Sequence, residues 1–296
     1  MSVPQIIPEL VWRDDAIVGE SPNWCVRDQV LFWVDIRGQK VQRFDPATRT
    51  NVYVPIDDIV TSVNWCSGGK YVLTLGKEFA MLDWKTGEVT RLGNPEPERT
   101  GNRFNEARTD AKGRLWAGTM GDKDWSAPAG ALYRFDADHT WKRMRDEVIG
   151  ANGTGWSPDN KTMYHTESFR YAIYAYDFDL ERGEIENRRV LVQLDPEAGE
   201  FPDGMTVDAE GFIWSAHVGR GRIARYDPEG KLEREVQLPV TRGTSCKFGG
   251  PDFRTMYITT ATETLTPEQI ALEPLAGSLF ACVPGVQGLP VKPFAG

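Results

Sequence analysis

Residues 101–120, GNRFNEARTDAKGRLWAGTM, join a polar segment to a short apolar run. The second half predicts a turn (DAKG) followed by a strand (RLWAG), because Gly and Asp favour turns and a β-favouring run comes next. The first half places Asn102, Arg103, Asn105 and Glu106 just ahead of that turn. Two amides, a guanidinium and a carboxylate are more than a turn requires, so this stretch bears on both fold and function.

The turn-and-strand unit occurs six times along the chain. Its central aromatics recur at intervals of 38 to 50 residues, at Trp33, Tyr71, Trp116, Tyr164, Trp214 and Tyr257. A second apolar run follows each copy, centred on Phe44, Leu82, Phe135, Tyr176, Tyr226 and Phe280. Six copies at roughly 45 residues match the period of β-propeller blades. We therefore predict an all-β fold, a six-bladed β-propeller with four-stranded blades, as a single domain over residues 1–296.

Two blades carry insertions between their second and third strands, at residues 120–130 and 261–277. The second insertion contains Thr266, Pro267 and Gln269, which suit the N-cap, first and third positions of a helix. We predict one short helix there. In a propeller these loops open on the face where the channel-lining first strands begin, so both insertions are expected over that mouth of the channel.

Composition excludes several partner classes. The chain has 296 residues and a net charge of −9, which argues against nucleic acid and anionic membranes, since both are bound through excess Lys and Arg. The N-terminal MSVPQIIPEL has neither a basic start nor an apolar run, and no apolar stretch approaches the ~18 residues of a membrane span. We expect a cytoplasmic protein that is a monomer or weak oligomer.

The four cysteines, Cys25, Cys66, Cys246 and Cys282, are scattered within or beside apolar runs. This placement predicts four buried free thiols. One disulfide remains an open alternative at this stage.

In four blades a polar residue occupies nearly the same position relative to the central aromatic of its blade. Glu20, Asn105, Asn152 and Asp203 lie 11 to 13 residues before the aromatic of their own blade. Converging oxygens without Cys or His suit a hard divalent cation such as Ca, Mg or Mn, and Zn or Fe(II) also accept such ligands. The competing structural interpretation is that Asn and Asp before Gly, as in ANG and PDG, are ordinary turn residues. Their common register favours a metal or ligand site.

Six segments along the whole chain resemble one family. They are GESPNW, NRFNEARTDAKGRLWAGTM, NGTGWSPDNKTMYHTES, FPDGMTVDAEGFIW, TSCKFGGPDFRTMYITTA and GSLFACVPGVQGLPVKPFAG. The chain resembles the senescence-marker-protein/gluconolactonase family, which includes regucalcin and bacterial sugar lactonases. The resemblance implies a six-bladed propeller, in agreement with the repeat.

Site residues carry over from this resemblance by position. It implies metal ligands at Glu20, Asn152 and Asp203, with Asp203 also the general base, and substrate contacts at Arg103 and Asn105.

Two departures from the family pattern bear on the pocket. Glu106 stands where the family commonly has Asp, and Glu167 stands before Ser168 where the family often has Asp. We expect Glu106 and Met120 to contact substrate as well. The segments YHTES and NEA favour a bacterial sugar lactonase over a regucalcin proper.

The resemblance implies one divalent metal ion (Ca, Zn, Mn, Mg or Fe(II)) and a small-molecule sugar lactone as the partner. The expected reaction is hydrolysis of a glucono-, galactono-, xylono- or arabinono-lactone to its aldonic acid. Two alternatives stay open: a phosphotriesterase-like propeller hydrolase and a non-catalytic calcium-binding protein. His165 and His217 are expected mainly to pack, and Trp125 is a candidate lid residue for sugar stacking.

Overall fold

The computed structural model describes residues 6–296, which form six four-stranded antiparallel sheets. Blades one to three are β2–β5 (Gly19–Cys25, Val30–Asp35, Lys40–Asp45, Thr50–Pro55), β6–β9 (Val60–Trp65, Tyr71–Leu75, Phe79–Leu82, Val89–Gly93) and β10–β13 (Asn102–Thr109, Leu115–Gly121, Gly130–Phe135, Trp141–Val148). Blades four to six are β14–β17 (Ala151–Trp156, Thr162–Glu167, Ala172–Asp179, Glu184–Gln193), β18–β21 (Phe201–Val207, Ile213–Val218, Arg222–Tyr226, Leu232–Gln237) and β22–β24 with β1 (Gly243–Gly249, Thr255–Thr260, Leu279–Cys282, Glu9–Trp12).

The predicted six-bladed propeller is confirmed. Each predicted aromatic lies in the second strand of its blade, and each second apolar run forms the third strand. The predicted helix is also present: α1 spans Pro267–Leu272, and Thr266 and Gln269 form a reciprocal capping box. Two short 3-10 turns, Ser168–Arg170 and Pro196–Ala198, complete the elements.

The first strands β2, β6, β10, β14, β18 and β22 contact one another in a closed ring around a central channel. We call the end of the channel beside the loops between second and third strands the upper face. The turns between first and second strands form the lower face. Because all six first strands begin at the upper face, residues early in these strands converge there.

The ring is closed by the N-terminal strand. β1 pairs antiparallel with β24, with Glu9 opposite Ala281 and Leu10 opposite Phe280. The last blade thus takes its outer strand from the other end of the chain. This arrangement joins the chain ends within one sheet, so blade six cannot separate from the ring without breaking backbone hydrogen bonds.

A buried Asp–Trp pair anchors the lower turn of two blades. In the motif DAKGRLW, the Asp110 carboxylate accepts hydrogen bonds from Trp116 Nε1 (3.0 Å) and from Arg114 Nε (2.7 Å). In DAEGFIW, Asp208 accepts from Trp214 Nε1 at 2.9 Å. The carboxylates also accept backbone amides of their own turns. The second half of the 101–120 stretch therefore builds the blade.

The C-terminal residues 283–296 cross the lower face. Their backbone exchanges hydrogen bonds with the lower turns of several blades, from Ala209 N to Gln287 O (2.8 Å) and from Ala295 N to Gly113 O (3.0 Å). Phe294 is fully buried among blades two and three. We call this segment the C-terminal strap.

All four cysteines are free and buried, as predicted. Within residues 6–296, no helix has the length and apolar character needed to cross a membrane.

Replacement of Asp208 by Ala is expected to lower the free energy of unfolding by about 2–4 kcal/mol, because it leaves the buried Trp214 Nε1 without its acceptor and removes the only buried one of the three carboxylates that bond to Arg225. Arg225 donates to Asp208 Oδ2 at 2.7 and 2.9 Å. Urea unfolding measures the loss. The matched control is Asp227→Ala, which removes a similar turn carboxylate that accepts only exposed backbone amides and should cost about 1 kcal/mol or less. Equal losses in the two variants would contradict the assignment.

Candidate active site

Bulges at the upper ends of the first strands place the polar side chains. Pairing is interrupted between Glu20 and Asn23, Phe104 and Ala107, Ala151 and Thr154, and Pro202 and Met205. In each case one extra residue stands on the first strand, and such a β-bulge re-aims side chains relative to the sheet. Asn105, Asn152 and Asp203 lie within these bulges, and Glu20 directly precedes one.

The glycines after Asn152 and Asp203 permit close packing of neighbouring first strands. A Cβ on Gly153 would lie 2.6 Å from Met205 N, and a Cβ on Gly204 would lie 2.4 Å from Ser245 Cβ. Both glycines lie within strands. The interpretation of ANG and PDG as ordinary turns is therefore wrong: they bring two polar residues together where the inner strands approach most closely.

A cavity of about 90 Å³ opens at the upper face. Its lining includes most of the residues predicted from sequence: Glu20, Arg103, Asn105, Met120, Asn152 and Asp203. All six are less than 9% exposed. Blade six contributes Thr244, whereas Thr61 of blade two bonds to Thr74 instead (2.7 Å).

The carboxylates in this region are crowded and desolvated. Burial, together with the nearby Glu106 carboxylate, raises the pKa of Glu20 to about 8. Burial and the charges of Glu20 and Glu106 raise the pKa of Asp203 well above its usual range. Without a compensating cation, ionisation of both groups at neutral pH is unfavourable.

Asn152 presents its amide oxygen without a partner. Its Nδ2 donates to Ser168 Oγ (3.0 Å), and Ser168 Oγ in turn donates to the carbonyl of Pro202 (2.7 Å). This chain of hydrogen bonds fixes which side of the amide faces Ser168. The buried Oδ1 then has no hydrogen-bond partner among the described residues. An orphaned buried oxygen of this kind calls for a ligand.

These three groups fit a hard divalent cation. Two crowded carboxylates and one unpartnered amide oxygen supply the oxygen donors that Ca, Mg and Mn prefer. Across residues 6–296, no group of three or more His, Cys, Asp or Glu has the placement of a metal site. The candidate metal ligands are two carboxylates and one amide oxygen, so they do not form a group of that kind.

Arg103 and Asn105 form a rigid pair beside the carboxylates. Arg103 Nη1 donates to Asn105 Oδ1 (2.6 Å), and Asn105 Nδ2 donates to the carbonyl of Ala151 (2.8 Å). Arg103 Nε donates to Asp122 at 3.1 Å. Burial and the neighbouring Arg37 lower the pKa of Arg103 to about 10, so it stays charged at neutral pH. Nη2 has no acceptor among the described residues and remains available to a ligand.

Glu106 differs in position from the other predicted site residues. It does not line the upper cavity. Its carboxylate lies deeper in the channel, 2.6 Å from Arg108 Nη2, without satisfying hydrogen-bond geometry. Asn105 and Glu106 share one bulge, which brings only Asn105 to the cavity. The contact between Glu106 and substrate stays a prediction, and in this structure the Glu106 charge acts on the pKa of Glu20 and Asp203.

Aromatic rings form an apolar wall of the cavity. Trp125, from the first insertion, stacks on Phe169 with ring centroids 5.8 Å apart, and Phe169 contacts Phe201 at 5.3 Å. All three residues line the cavity. Trp125 Nε1 also donates to the carbonyl of Asp122 (3.1 Å), which pins the insertion in place.

The two insertions meet above the cavity, as the topology predicts. Arg37 bridges them, with Nη2 3.0 Å from Asp122 of the first insertion and Nε 3.2 Å from Glu263 of the second. Glu263 and Thr264 line the cavity. The insertions thus form one ion-paired rim.

Arg242 and Ser168 are two polar residues of the site that the sequence interpretation did not single out as functional. Arg242 lines the cavity, and its buried Nε has no partner among the described residues. Arg242 lies two residues before Thr244, just as Arg103 lies two residues before Asn105. This common spacing could have identified Arg242 as a site residue from the sequence. Ser168 orients Asn152. The Asn152–Ser168 hydrogen bond has no local sequence signature.

The remaining singled-out residues are structural. Glu167 is buried between Arg170 and Arg188, at 2.8 Å from each. His165 bonds to Thr154 (3.0 Å), and His217 bonds to Glu200 (3.0 Å). None of these lines the upper cavity.

Glu20→Gln is expected to stabilise the metal-free protein at pH 8 by a few kcal/mol and to have little effect at pH 5. A carboxyl whose pKa is raised on folding destabilises the fold once pH exceeds the unfolded value of 4.5, and the penalty grows up to about pH 8. Urea unfolding in the presence of a chelator measures the difference.

Glu200→Gln is a control that should change the stability of the protein in the opposite direction. His217 and Arg222 lower the pKa of Glu200 to about 2 despite its burial, so its loss should destabilise the protein at pH 8. A Glu20→Gln variant less stable than wild type at pH 8 without metal would contradict the account of crowded carboxylates.

The chain matches the family model described as SMP-30/gluconolactonase/LRE-like region over residues 18–262. It is 40% identical to chicken (Gallus gallus) regucalcin over 294 residues, which cover 97% of this chain and 98% of that protein. Among solved structures it is similar to regucalcin from Agrobacterium tumefaciens (TM-score 0.93, 24% identity, 99% of both chains). It is also similar to a luciferin-regenerating enzyme (TM-score 0.86, 30% identity, 98% of both chains).

The placement nearer to bacterial sugar lactonases than to regucalcins stays a prediction, whereas the broader assignment is secure. With six blades in register and a family match that spans most of them, the chain belongs to the SMP-30/gluconolactonase/LRE-like family.

Proposed function

We propose that this protein is a metal-dependent hydrolase that opens a sugar aldonolactone to its aldonic acid. The observation that carries the proposal is the upper cavity, where two crowded carboxylates and an unpartnered amide oxygen meet beside a charged guanidinium. Family membership supports it, since the family description includes gluconolactonases. The similarity to regucalcins, one of which is described as a calcium-binding protein, also supports a calcium-binding role, and the experiment below distinguishes the two roles.

Glu20, Asn152 and Asp203 would hold the divalent cation. When bound, such an ion supplies Lewis-acid polarisation of the lactone carbonyl and a lower pKa for water in the site. The oxygen-only donor set favours Ca, Mg or Mn, and Zn or Fe(II) are compatible with it. The cytoplasmic location expected from sequence stays a prediction.

Asp203 is the proposed general base. Its carboxylate takes a proton from the attacking water while the water oxygen bonds to the lactone carbonyl carbon. The ring C–O bond then breaks, and the departing ring oxygen takes up a proton to give the open hydroxy acid. A cation beside Asp203 would favour its ionised form, which opposes the effect of burial on its pKa.

Arg103, Asn105 and Arg242 are the proposed sugar-binding groups. Arg103 Nη2 and the Arg242 guanidinium can donate to hydroxyl or carbonyl oxygens, and both side chains line the cavity. Asn105 already bonds to Arg103 and Ala151, so its main effect is to hold Arg103 in position. The aromatic wall of Trp125, Phe169 and Phe201 offers an apolar surface for the C–H face of a sugar.

Asp203→Asn is expected to lower lactone turnover by about 10²–10⁴-fold, because the amide cannot accept the proton. Acid release is measured by pH-stat on glucono-, galactono-, xylono- and arabinono-lactone, above the spontaneous rate. Chelator-stripped protein is compared with protein given Ca, Mg, Mn, Zn or Fe(II). Wild type should recover turnover only with metal.

Asp252→Asn is the matched control, since Asp252 is an exposed carboxylate in a lower turn of blade six. It should behave like wild type. Calcium binding without turnover of any lactone would contradict the proposal in favour of a binding protein. Metal-dependent turnover confined to phosphotriesters would favour the phosphotriesterase-like alternative.

A further inference from the structure

A second cavity lies at the lower face, between the channel and the C-terminal strap. Its volume is about 240 Å³, against about 90 Å³ for the upper cavity. First-strand residues line one side of it, and Leu289, Pro290, Val291 and Lys292 of the strap line the other. We call it the lower chamber.

The strap holds the chamber in a defined shape. Thr109 Oγ1 donates to the carbonyl of Lys292 (2.6 Å), and Phe294 N donates to the carbonyl of Trp65 (2.9 Å). Gly288 N donates to the carbonyl of Phe253 (2.8 Å) at the other end of the crossing. The wall formed by residues 289–292 is therefore tied at both ends to separate blades.

The charged groups beside the chamber leave one positive charge in excess, because Arg108 and Lys247 both face a single carboxylate, that of Glu106. Arg108 pairs with Glu106, and it donates to Ser21 Oγ (3.1 Å) and to Ser245 Oγ (3.4 Å). Lys247, which projects from β22 and lines the chamber, has no hydrogen bond or ion pair to any described residue.

The one carboxylate among the lining residues cannot serve as its partner. Asp110 is occupied by Arg114 (2.7 Å), by Trp116 Nε1 (3.0 Å) and by backbone amides of its turn. Lys292 adds positive charge at the exposed rim. The chamber is thus positive overall at neutral pH.

The other lining residues indicate which groups a bound anion could carry in addition to its negative charge. The hydroxyl of Thr206 has no partner among the described residues, although the residue is only 3% exposed. Ser157 and Asn160 add polar atoms at the rim, and Val207 and Leu289 add apolar surface. A small molecule with one anionic group, hydroxyls and a short carbon chain matches this lining.

We propose that the lower chamber binds a short hydroxylated carboxylate, with the carboxylate on Lys247. The single excess positive charge matches one negative charge, and the free hydroxyl of Thr206 matches an oxygen of the ligand. Aldonic acids belong to this class. The site uses no residue of the upper cavity, so this proposal does not depend on the proposed lactonase activity.

The protonation state of Lys247 gives the proposal a distinctive pH dependence. Burial and the Arg108 charge lower the pKa of Lys247 to about 7. The other charged or titratable groups that face it are Glu106, which favours the ammonium, and Cys246, whose thiol pKa is raised by burial. Because a bound carboxylate requires the ammonium, affinity should fall as pH rises through about 7.

The test is isothermal titration calorimetry of metal-stripped protein with sodium gluconate, sodium acetate and sodium phosphate, at pH 6 and pH 8.5. Gluconate should bind at one saturable site, more tightly than acetate, and more tightly at pH 6. Lys247→Met should weaken it at least about tenfold. Lys247→Arg should keep the affinity within about threefold and lose the pH dependence, since Arg remains charged.

Lys292→Met is the matched control, because it removes a rim charge from the same chamber and should change affinity less than about threefold. Lys247→Met should retain wild-type unfolding and lactone turnover, which separates this site from the upper one. Three outcomes would overturn the proposal: no saturable binding, unchanged gluconate affinity in Lys247→Met, or tighter binding of phosphate than of gluconate.

Discussion

The structure depends on how a narrow channel accommodates three buried carboxylates, those of Glu20, Glu106 and Asp203. Like charges in a desolvated space raise one another's pKa, and each ionised group needs a cation nearby. Arg108 meets this need for Glu106. Glu20 and Asp203 have no ion pair among the described residues, and Arg103 and Arg242 offset only part of the rise in their pKa. We propose that a divalent cation supplies the remaining compensation.

The propeller concentrates these groups by simple geometry. Six first strands surround one axis, and a bulge near the start of four of them turns polar side chains toward it. Gly153 and Gly204 let the inner strands approach closely enough for the groups to meet. The buried Asp–Trp turns and the pairing of β1 with β24 hold the ring rigid beneath them. The site is therefore preorganised by elements that take no part in the proposed reaction.

Much of the fold was predictable, because each blade repeats one aromatic strand and one turn at a nearly fixed period. The capping box at Thr266 similarly predicted α1 from three residues. The pairing of Glu9–Trp12 with β24 was not predicted, since β1 lies outside the turn-and-strand repeat and its partner lies at the other end of the chain.

The candidate site was predicted only in part. Glu20, Arg103, Asn105, Met120, Asn152 and Asp203 do converge, since their register relative to the aromatics fixes their level in the channel. Glu106 does not line the cavity, because a bulge changes which neighbour reaches it, and sequence spacing does not reveal a bulge. Ser168 acts through a tertiary hydrogen bond to Asn152, and Lys247 matters because a distant strap encloses it. Both effects depend on tertiary contacts that spacing along the sequence does not reveal.

The most direct test of the central claim is a crystal structure of the protein soaked in Mn²⁺, with anomalous data that locate the metal without reference to its ligands. We expect one strong anomalous peak in the upper cavity, at coordination distance from Glu20, Asp203 and Asn152 Oδ1. A cavity free of manganese, or manganese bound there without contact to these three groups, would contradict this claim.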